Sequence, residues 1–320
     1  MSLQIPQPTA VLEAANRIAG IANQTPVHTS RTLNQQTGHQ IFLKCENFQR
    51  VGAFKFRGAY NAVSQLSKAQ KEAGVVTHSS GNHAQGLALA AKLLGVKATI
   101  VMPDNAPAIK KAATAGYGAT IITCPAIERE AVCAQQIEKH GYTLIHPYDN
   151  PNIIAGAGTA ALELLQEVGP LDLLFAPVGG AGLLSGTALA AAAVQPTCRV
   201  IGVEPAIAND AQQSWQRGEI VRLTAVPNTL ADGLRTRFVG AHNLPILRQY
   251  VSDMLTVTED EIVTTLRFLW ARLKLVVEPS AAVALAPVFT GKIGEPGQRI
   301  GVILSGGNVD VAELAPLFAD

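Results

Sequence analysis

The sequence is poor in charge. Only 15% of its 320 residues are Asp, Glu, Lys or Arg, against about 25% in ordinary globular chains. The 25 basic and 24 acidic residues leave a formal net charge of +1. Without a basic surplus there is no electrostatic footprint for a nucleic-acid partner. Low charge combined with 48% apolar residues excludes intrinsic disorder. The scarcity of charge also points to surface buried by self-association. Cysteine is scarce too. Cys45, Cys124, Cys133 and Cys198 stand far apart and form no CxxC pair, so neither a zinc ribbon nor a thioredoxin-like motif can be built. Reduced, mostly buried thiols of a cytoplasmic protein are expected instead. Long apolar runs are missing. The most apolar segment, 173–194, is broken by Pro177, Gly179, Gly180, Gly182 and Gly186, whereas crossing a bilayer takes about 20 uninterrupted apolar residues. The opening MSLQIPQPTA has no basic stretch leading into an apolar one, so no secretory leader is expected. No repeat of solenoid period is present.

What the sequence does have is alternation. Val11, Ala15, Ile18 and Ala22 share one face of a helix predicted over 9–22, and 41–44 reads as a short strand. Strands at 75–78, 98–102, 119–123 and 143–145 then alternate with helices at 82–94, 107–115 and 127–139. The Pro/Asn/Asp-rich stretch 147–152 is the best boundary signal in the chain. Beyond it the pattern resumes: helix 159–168, strand 173–176, helix 183–194, strand 200–203, strand 254–257. Thr258 and Glu261 form a capping-box pair before a helix that ends near Lys274. Helix 281–289 and strand 300–304 follow. The expected class is α/β, two units with open parallel sheets buried on both faces.

Chemistry gathers in loops that follow strands, where such sheets bind ligands. PVGGAGLLSG (177–186) follows a strand and opens a helix, an arrangement that suits a phosphate. Ser185 occupies the third position of G-x-G-x-x-G, no acidic residue lies about 20 positions on, and no G-x-x-x-x-G-K-[ST] occurs. The loop is therefore a phosphate cup without a dinucleotide or nucleoside-triphosphate fingerprint, or a turn needed only for packing. Lys55 lies between Phe54 and Phe56. A lysine in an apolar pocket forms Schiff bases readily, although a surface lysine beside core aromatics reads the same way. HSSGNHAQG (78–86) suits a carboxylate or an ordinary helix cap. SGGNVD (305–310) alone is a turn.

In sequence order, CENFQ, GAFKFRGA, SSGNHAQG, GGAGLLSG, VEPS and SGGNVD resemble the fold-type II pyridoxal-phosphate enzymes. Within them the chain looks like the branch of serine racemase and the serine/threonine dehydratases, from about Pro26 to Asp310. The resemblance implies a tryptophan synthase β-like fold, with a small domain (73–146) inserted in a large cofactor-binding one (1–72 and 147–320). It implies that Lys55 forms the Schiff base with pyridoxal phosphate and that Phe54 packs on the ring. Asn82 would meet the phenolic oxygen and Ser305 the pyridine nitrogen. The backbone of Gly179, Gly180, Ala181, Gly182 and Leu183 would hold the phosphate. Ser79, Ser80, Asn82 and His83 would grip the substrate carboxylate, with Ser80 as the second acid/base needed for racemisation. Glu204, the Ala208 carbonyl and Asp210 match a divalent-cation site for Mg²⁺ or Ca²⁺.

The implied activity is racemisation, β-elimination to a keto acid and ammonia, or both, on serine-like β-hydroxy amino acids. The alternatives are an L-threonine or L-threo-3-hydroxyaspartate dehydratase without racemase activity, β-replacement, and a non-catalytic amino-acid-binding module. The implied assembly is a homodimer with no nucleic-acid or membrane partner. The chain departs from the family at Ala53, Ala157 and Ala181. Ala181 stands where relatives carry Gly, so its φ must be negative or its backbone strained.

Overall fold

The computed structural model describes residues 3–79, 81–104, 106, 108–293 and 295–319. The chain opens with α1 (Thr9–Ile18), β1 (Val27–His28), α2 (Arg31–Thr37), β2 (Gln40–Cys45), α3 (Lys55–Ser64) and α4 (Lys68–Ala73). Strict alternation follows: β3 (Val75–His78), α5 (Asn82–Leu93), β4 (Ala98–Pro103), α6 (Ala108–Gly116), β5 (Thr120–Cys124), α7 (Arg129–His140) and β6 (Thr143–Leu144). It resumes with α8 (Pro151–Val168), β7 (Leu173–Pro177), α9 (Gly182–Val194), β8 (Arg199–Pro205), α10 (Asp210–Arg217), α11 (Asn243–Tyr250) and β9 (Asp253–Val257). The last elements are α12 (Glu259–Ala271), α13 (Pro279–Phe289), β10 (Arg299–Leu304) and α14 (Val311–Leu314). Among the described residues no helix is long and apolar enough to cross a membrane.

The strands form two sheets. One runs β1-β2-β10-β7-β8-β9, parallel except for the antiparallel β1. The other runs β5-β4-β3-β6 and is parallel throughout. Helices cover both faces of each, which is why the strands are continuous apolar runs rather than alternating ones. In β10, Ile303 packs into the core beneath α8 and α9, while Ile300, Val302 and Leu304 pack under α12 and α13. The four-stranded sheet is covered by α5 and also by α3, whose Phe56, Ala59, Ala62 and Val63 share a core with Val75, Ile100 and Ile145.

Local chemistry explains where the elements begin and end. The capping box at Thr258 and Glu261 is present as the sequence predicts. Helix α1 stops at Ile18, short of 22, because Gly20 takes a φ of +72°. Helix α8 starts at Pro151, eight residues before its predicted start. The Asn150 side chain caps it by accepting from the N–H groups of Asn152 and Ile153, and Pro151 fits its first turn. The glycines that resemble a breaker in this helix are points of contact. A Cβ on Gly156 would lie 2.6 Å from the Gly58 Cα in α3, and one on Gly158 would lie 2.4 Å from the Gly186 carbonyl oxygen in α9.

Beside these contacts lies a buried charge cluster. Arg57 Nε donates to Glu46 at 2.7 Å and Nη1 to Glu163 at 2.6 Å. Lys44 Nζ lies 2.7 Å from Glu163 and donates to the Thr25 carbonyl at 2.7 Å. Burial works against a charge on Glu163, but hydrogen bonds from Arg57 and Lys44 hold its carboxyl below the usual range.

Candidate active site

β7 and β10 are parallel neighbours, so the loop after Pro177 and the turn after Leu304 leave the sheet side by side. On the other flank of β10 is β2, and the chain leaving β2 leads to Lys55. A bridge pairs Ala53 with Gly306, and the Phe54 N–H donates to the Ser305 carbonyl at 3.0 Å. Lys55 therefore begins α3 next to Ser305, which is itself buried.

Lys55 Nζ donates to the Pro147 carbonyl at 2.8 Å and sits 5.0 Å from the centre of the Phe54 ring. Burial pushes the amine down to about 8, against the opposing charge of Glu278. At pH 7 roughly a tenth of such amines is neutral, whereas an exposed lysine leaves about one in a few thousand neutral. This meets the requirement for a lysine that condenses with a carbonyl.

The loop over 178–182 ends in α9. The N–H groups of Gly182, Leu183 and Leu184 are first-turn donors with no partner among the described residues. They form an anion cradle. Ala181 takes a φ of +72°. The left-handed backbone of the cup is thus kept, at a strain of about 1 kcal/mol for a residue with a Cβ. The ring of Tyr148 fills the space a Cβ on Gly180 would need, 2.3 Å away. Asn243, fully buried, donates to the carbonyls of both Tyr148 and Gly180, at 3.1 and 3.0 Å. The joint 147–149 thus touches Lys55 on one side and the cup on the other.

Helix α5 delivers the third segment. Its Gly86 would place a Cβ 3.1 Å from the Lys55 carbonyl carbon, so it runs in backbone contact with the start of α3. Ser79 Oγ accepts from the Gly81 N–H at 3.4 Å. His83 is buried, and its Nε2 lies 3.0 Å from the Ile145 carbonyl, which makes Nε2 the protonated nitrogen. Burial, with the charge of Lys55 next, pushes the His83 ring down to about 3, so it is neutral. Ser80 lies outside the described residues. Asn82 is held on both ends, its Nδ2 by Glu278 at 3.0 and 3.1 Å and its Oδ1 by Asn308 Nδ2 at 2.9 Å. Glu278, which holds the Asn82 amide, is a residue that sequence reasoning passed over. Its only trace is the VEPS segment, 196 residues from Asn82. Arg235 is exposed, and Nε and Nη2 both donate to the Thr229 carbonyl, at 2.9 and 2.6 Å.

The expected cation ligands lie apart from Lys55, at the end of β8. Glu204 is buried and accepts from the N–H groups of Ala211 and Gln212, at 3.1 and 2.8 Å. Both carboxylate oxygens of Asp210 are buried with no hydrogen-bond partner among the described residues. Burial, then the charge of Asp210, holds Glu204 well above the carboxylate range, and burial pushes Asp210 up to about 7. Ala208 is buried in the turn between them. No three His, Cys, Asp or Glu side chains among the described residues could hold a metal, so a cation here would need a backbone carbonyl as well. The orphaned oxygens fit one. A groove of about 530 Å³ beside Ala188, Pro196 and Tyr250 lies at the far end of α9 and touches none of these residues.

Residues 18–306 match the family model described as pyridoxal-phosphate dependent enzyme. The chain is 53% identical over 310 residues to L-threo-3-hydroxyaspartate ammonia-lyase of a Pseudomonas species, covering 96% of this chain and 97% of that one. It is 49% identical to serine racemase of Schizosaccharomyces pombe, covering 98% of each. Its fold superposes on the structure of maize serine racemase with a TM-score of 0.94 at 42% identity, covering 98% and 97% of the two chains. With a buried lysine amine bonded to the joint that packs on an anion cradle, and with this family match over most of its length, the chain belongs to the pyridoxal-phosphate-dependent enzymes.

Proposed function

We propose that this enzyme racemises serine-like β-hydroxy amino acids and eliminates their β-hydroxyl group, giving a keto acid and ammonia. The observation that carries the reading is the Lys55 amine, low in basicity and held within one residue of Ser305 and the joint that touches the phosphate cup. When bound there, pyridoxal phosphate supplies the electron sink for a carbanion at the substrate Cα. Gly182 and Leu183 would hold its phosphate through their N–H groups, and Phe54 would pack against its ring. Asn82 would donate to its phenolic oxygen. Ser305 would meet its pyridine nitrogen with a neutral hydroxyl, which favours loss of a β-substituent over a long-lived carbanion. Lys55 removes the Cα proton on one face as its neutral amine. Ser80 is assigned to the other face, because racemisation needs a proton donor there and Lys55 reaches only one side.

Separate incubations with L-serine, L-threonine and L-threo-3-hydroxyaspartate, measuring keto acid and D-enantiomer, test the reading. Ser80→Ala is expected to abolish D-serine formation while much of the elimination from L-serine survives. Equal loss of both would overturn the two-face assignment. A second reading, an L-threo-3-hydroxyaspartate dehydratase without racemase activity, draws support from the 53% identity to a relative of that name. It predicts keto acid from hydroxyaspartate with no D-serine from L-serine.

The reading includes Mg²⁺ or Ca²⁺ held by Glu204, Asp210 and the Ala208 carbonyl. Both carboxyls are raised in the folded protein, so their burial costs stability as pH climbs above the ordinary value of about 4. For Asp210 the cost is fully developed above about 7. Added Mg²⁺ is therefore expected to raise the thermal midpoint by several degrees at pH 8 and by little at pH 5. An equal shift at both would remove the site from the proposal. We also assign 73–146 as the small domain inserted between 1–72 and 147–320. The four-stranded sheet, drawn wholly from 75–144, supports this. A cytoplasmic homodimer completes the reading. It is supported by four buried free thiols and by Phe48 and Val276, two half-exposed apolar residues brought near each other by the hydrogen bond from Asn47 to the Val276 carbonyl.

A further inference from the structure

Glu278 is a buried carboxyl, 4% exposed, at the start of α13. Both of its oxygens face a single nitrogen, Asn82 Nδ2, and its N–H donates to the Gly306 carbonyl in the turn beside Ser305. The polar chain it completes has one consistent direction. The Val51 carbonyl can only accept, so the Asn308 atom 2.6 Å from it must be Nδ2. That nitrogen also donates to Asn82, which fixes the acceptor end of the Asn82 amide there. The donor end is left to Glu278, whose carboxylate can only accept. The amide orientation of Asn82 is thus decided from both ends, and Glu278 supplies one of them.

We infer that Glu278 is a positioning residue of the active site, which turns the Asn82 donor toward the phenolic oxygen of bound pyridoxal phosphate and presents a negative charge to the Lys55 amine. The inference rests on the assignment of Asn82 and Lys55 to that cofactor. A nitrogen shared by the two carboxylate oxygens keeps a second N–H for another acceptor, so Glu278 orients Asn82 without using it up. The charged groups around Glu278 come from three elements. Asp232, in the 3₁₀ turn 232–234, repels it. Lys110 on α6, paired with Asp232 at 2.7 Å, attracts it. Lys55 on α3 feels its charge. Burial, then Asp232, pushes the Glu278 carboxyl up to about 7, while the Asn82 hydrogen bond holds it down. His83 and His146, the histidines that feel the charge of Lys55, are neutral, because burial pushes them down to about 3 and about 4.

Two variants separate the two roles. Glu278→Gln keeps an oxygen that accepts from Asn82 but removes the charge. Glu278→Ala removes both. The first readout is the pH dependence of trinitrobenzenesulfonate labelling of Lys55 in the full chain freed of cofactor, followed by peptide mass. A carboxylate favours the ammonium form, so both variants are expected to lower the labelling midpoint by about one pH unit. The second readout is the visible absorption of the chain loaded with pyridoxal phosphate, which reports hydrogen bonding to the phenolic oxygen. Glu278→Gln is expected to keep the wild-type band, and Glu278→Ala to shift it and to lower kcat roughly tenfold with KM little changed. Wild-type midpoints in both variants, or a wild-type band in Glu278→Ala, would overturn the assignment. A wild-type chain that takes up no pyridoxal phosphate would instead refute the cofactor reading, and the labelling experiment would still report on Glu278.

Discussion

Replacing Lys55 by alanine is expected to remove turnover of every amino-acid substrate, by roughly 10⁴-fold or more, while the fold survives. In the proposed mechanism the nucleophile and the base are the same nitrogen. Its loss would remove both the covalent anchor for the cofactor and a proton acceptor that alone contributes about 10²–10⁴-fold. The structural cost is small by comparison. Among the described residues Lys55 Nζ makes one hydrogen bond, to the Pro147 carbonyl, worth about 1 kcal/mol. Two measurements check this: borohydride reduction followed by mass analysis, and the thermal midpoint. Wild type is expected to retain the cofactor mass on the peptide containing Lys55, and the variant to retain none, with a midpoint within a few degrees of wild type. A Lys55→Ala protein with a tenth of wild-type turnover would end the proposal.

The second large effect is on stability. Arg57→Met should lower stability by about 3–5 kcal/mol, because removing one partner strands buried charge of the opposite sign. Burial alone opposes the Arg57 charge, yet Glu46 and Glu163 hold the guanidinium above its ordinary value. Without it, Glu46 loses 2.7 and 2.9 Å contacts and Glu163 loses 2.6 and 2.8 Å contacts. Lys44, which pairs with Glu163, is then left as the cation beside two carboxylates. A fall in thermal midpoint on the order of 5–10 °C at pH 7 follows. The sign of its pH dependence is fixed. Stranded carboxyls rise in pKa when folded, so the variant regains stability as pH falls and they take up protons. Adding Glu46→Gln should recover part of the loss at pH 7. Equal destabilisation at pH 5 and pH 8 would show that volume, not charge, is what Arg57 contributes.

The parallel strands were legible in the sequence because burial on both faces writes them as short runs of Val, Ile and Leu bounded by turn residues. The loops that meet at Lys55 were legible because they follow those strands. The pattern shows only the second half of helix α8 and no helix at α3, which begins inside a segment that reads as a loop. Each carries glycines where another helix presses against it, and one sequence does not distinguish a glycine that permits contact from one that ends a helix. Glu278 went unassigned because its meaning lies in Asn82 and Asn308, partners that only the folded chain brings to it. Ala181 left two outcomes open, and the structure takes the strained one.

The two glycine contacts of α8 have a mechanical consequence. At Gly156 the helix meets the backbone of α3, which begins at Lys55. Half a turn on, at Gly158, it meets the backbone of α9, which begins at the phosphate cup. Nothing compressible lies at either contact. Helix α8 is therefore a gauge block whose thickness is set chiefly by main-chain atoms, with the Asn61 Cβ beside them at Gly156, and it sets the span between the start of α3 and the start of α9. Any added carbon at these two positions changes the distance that the cofactor would have to bridge in the proposed site.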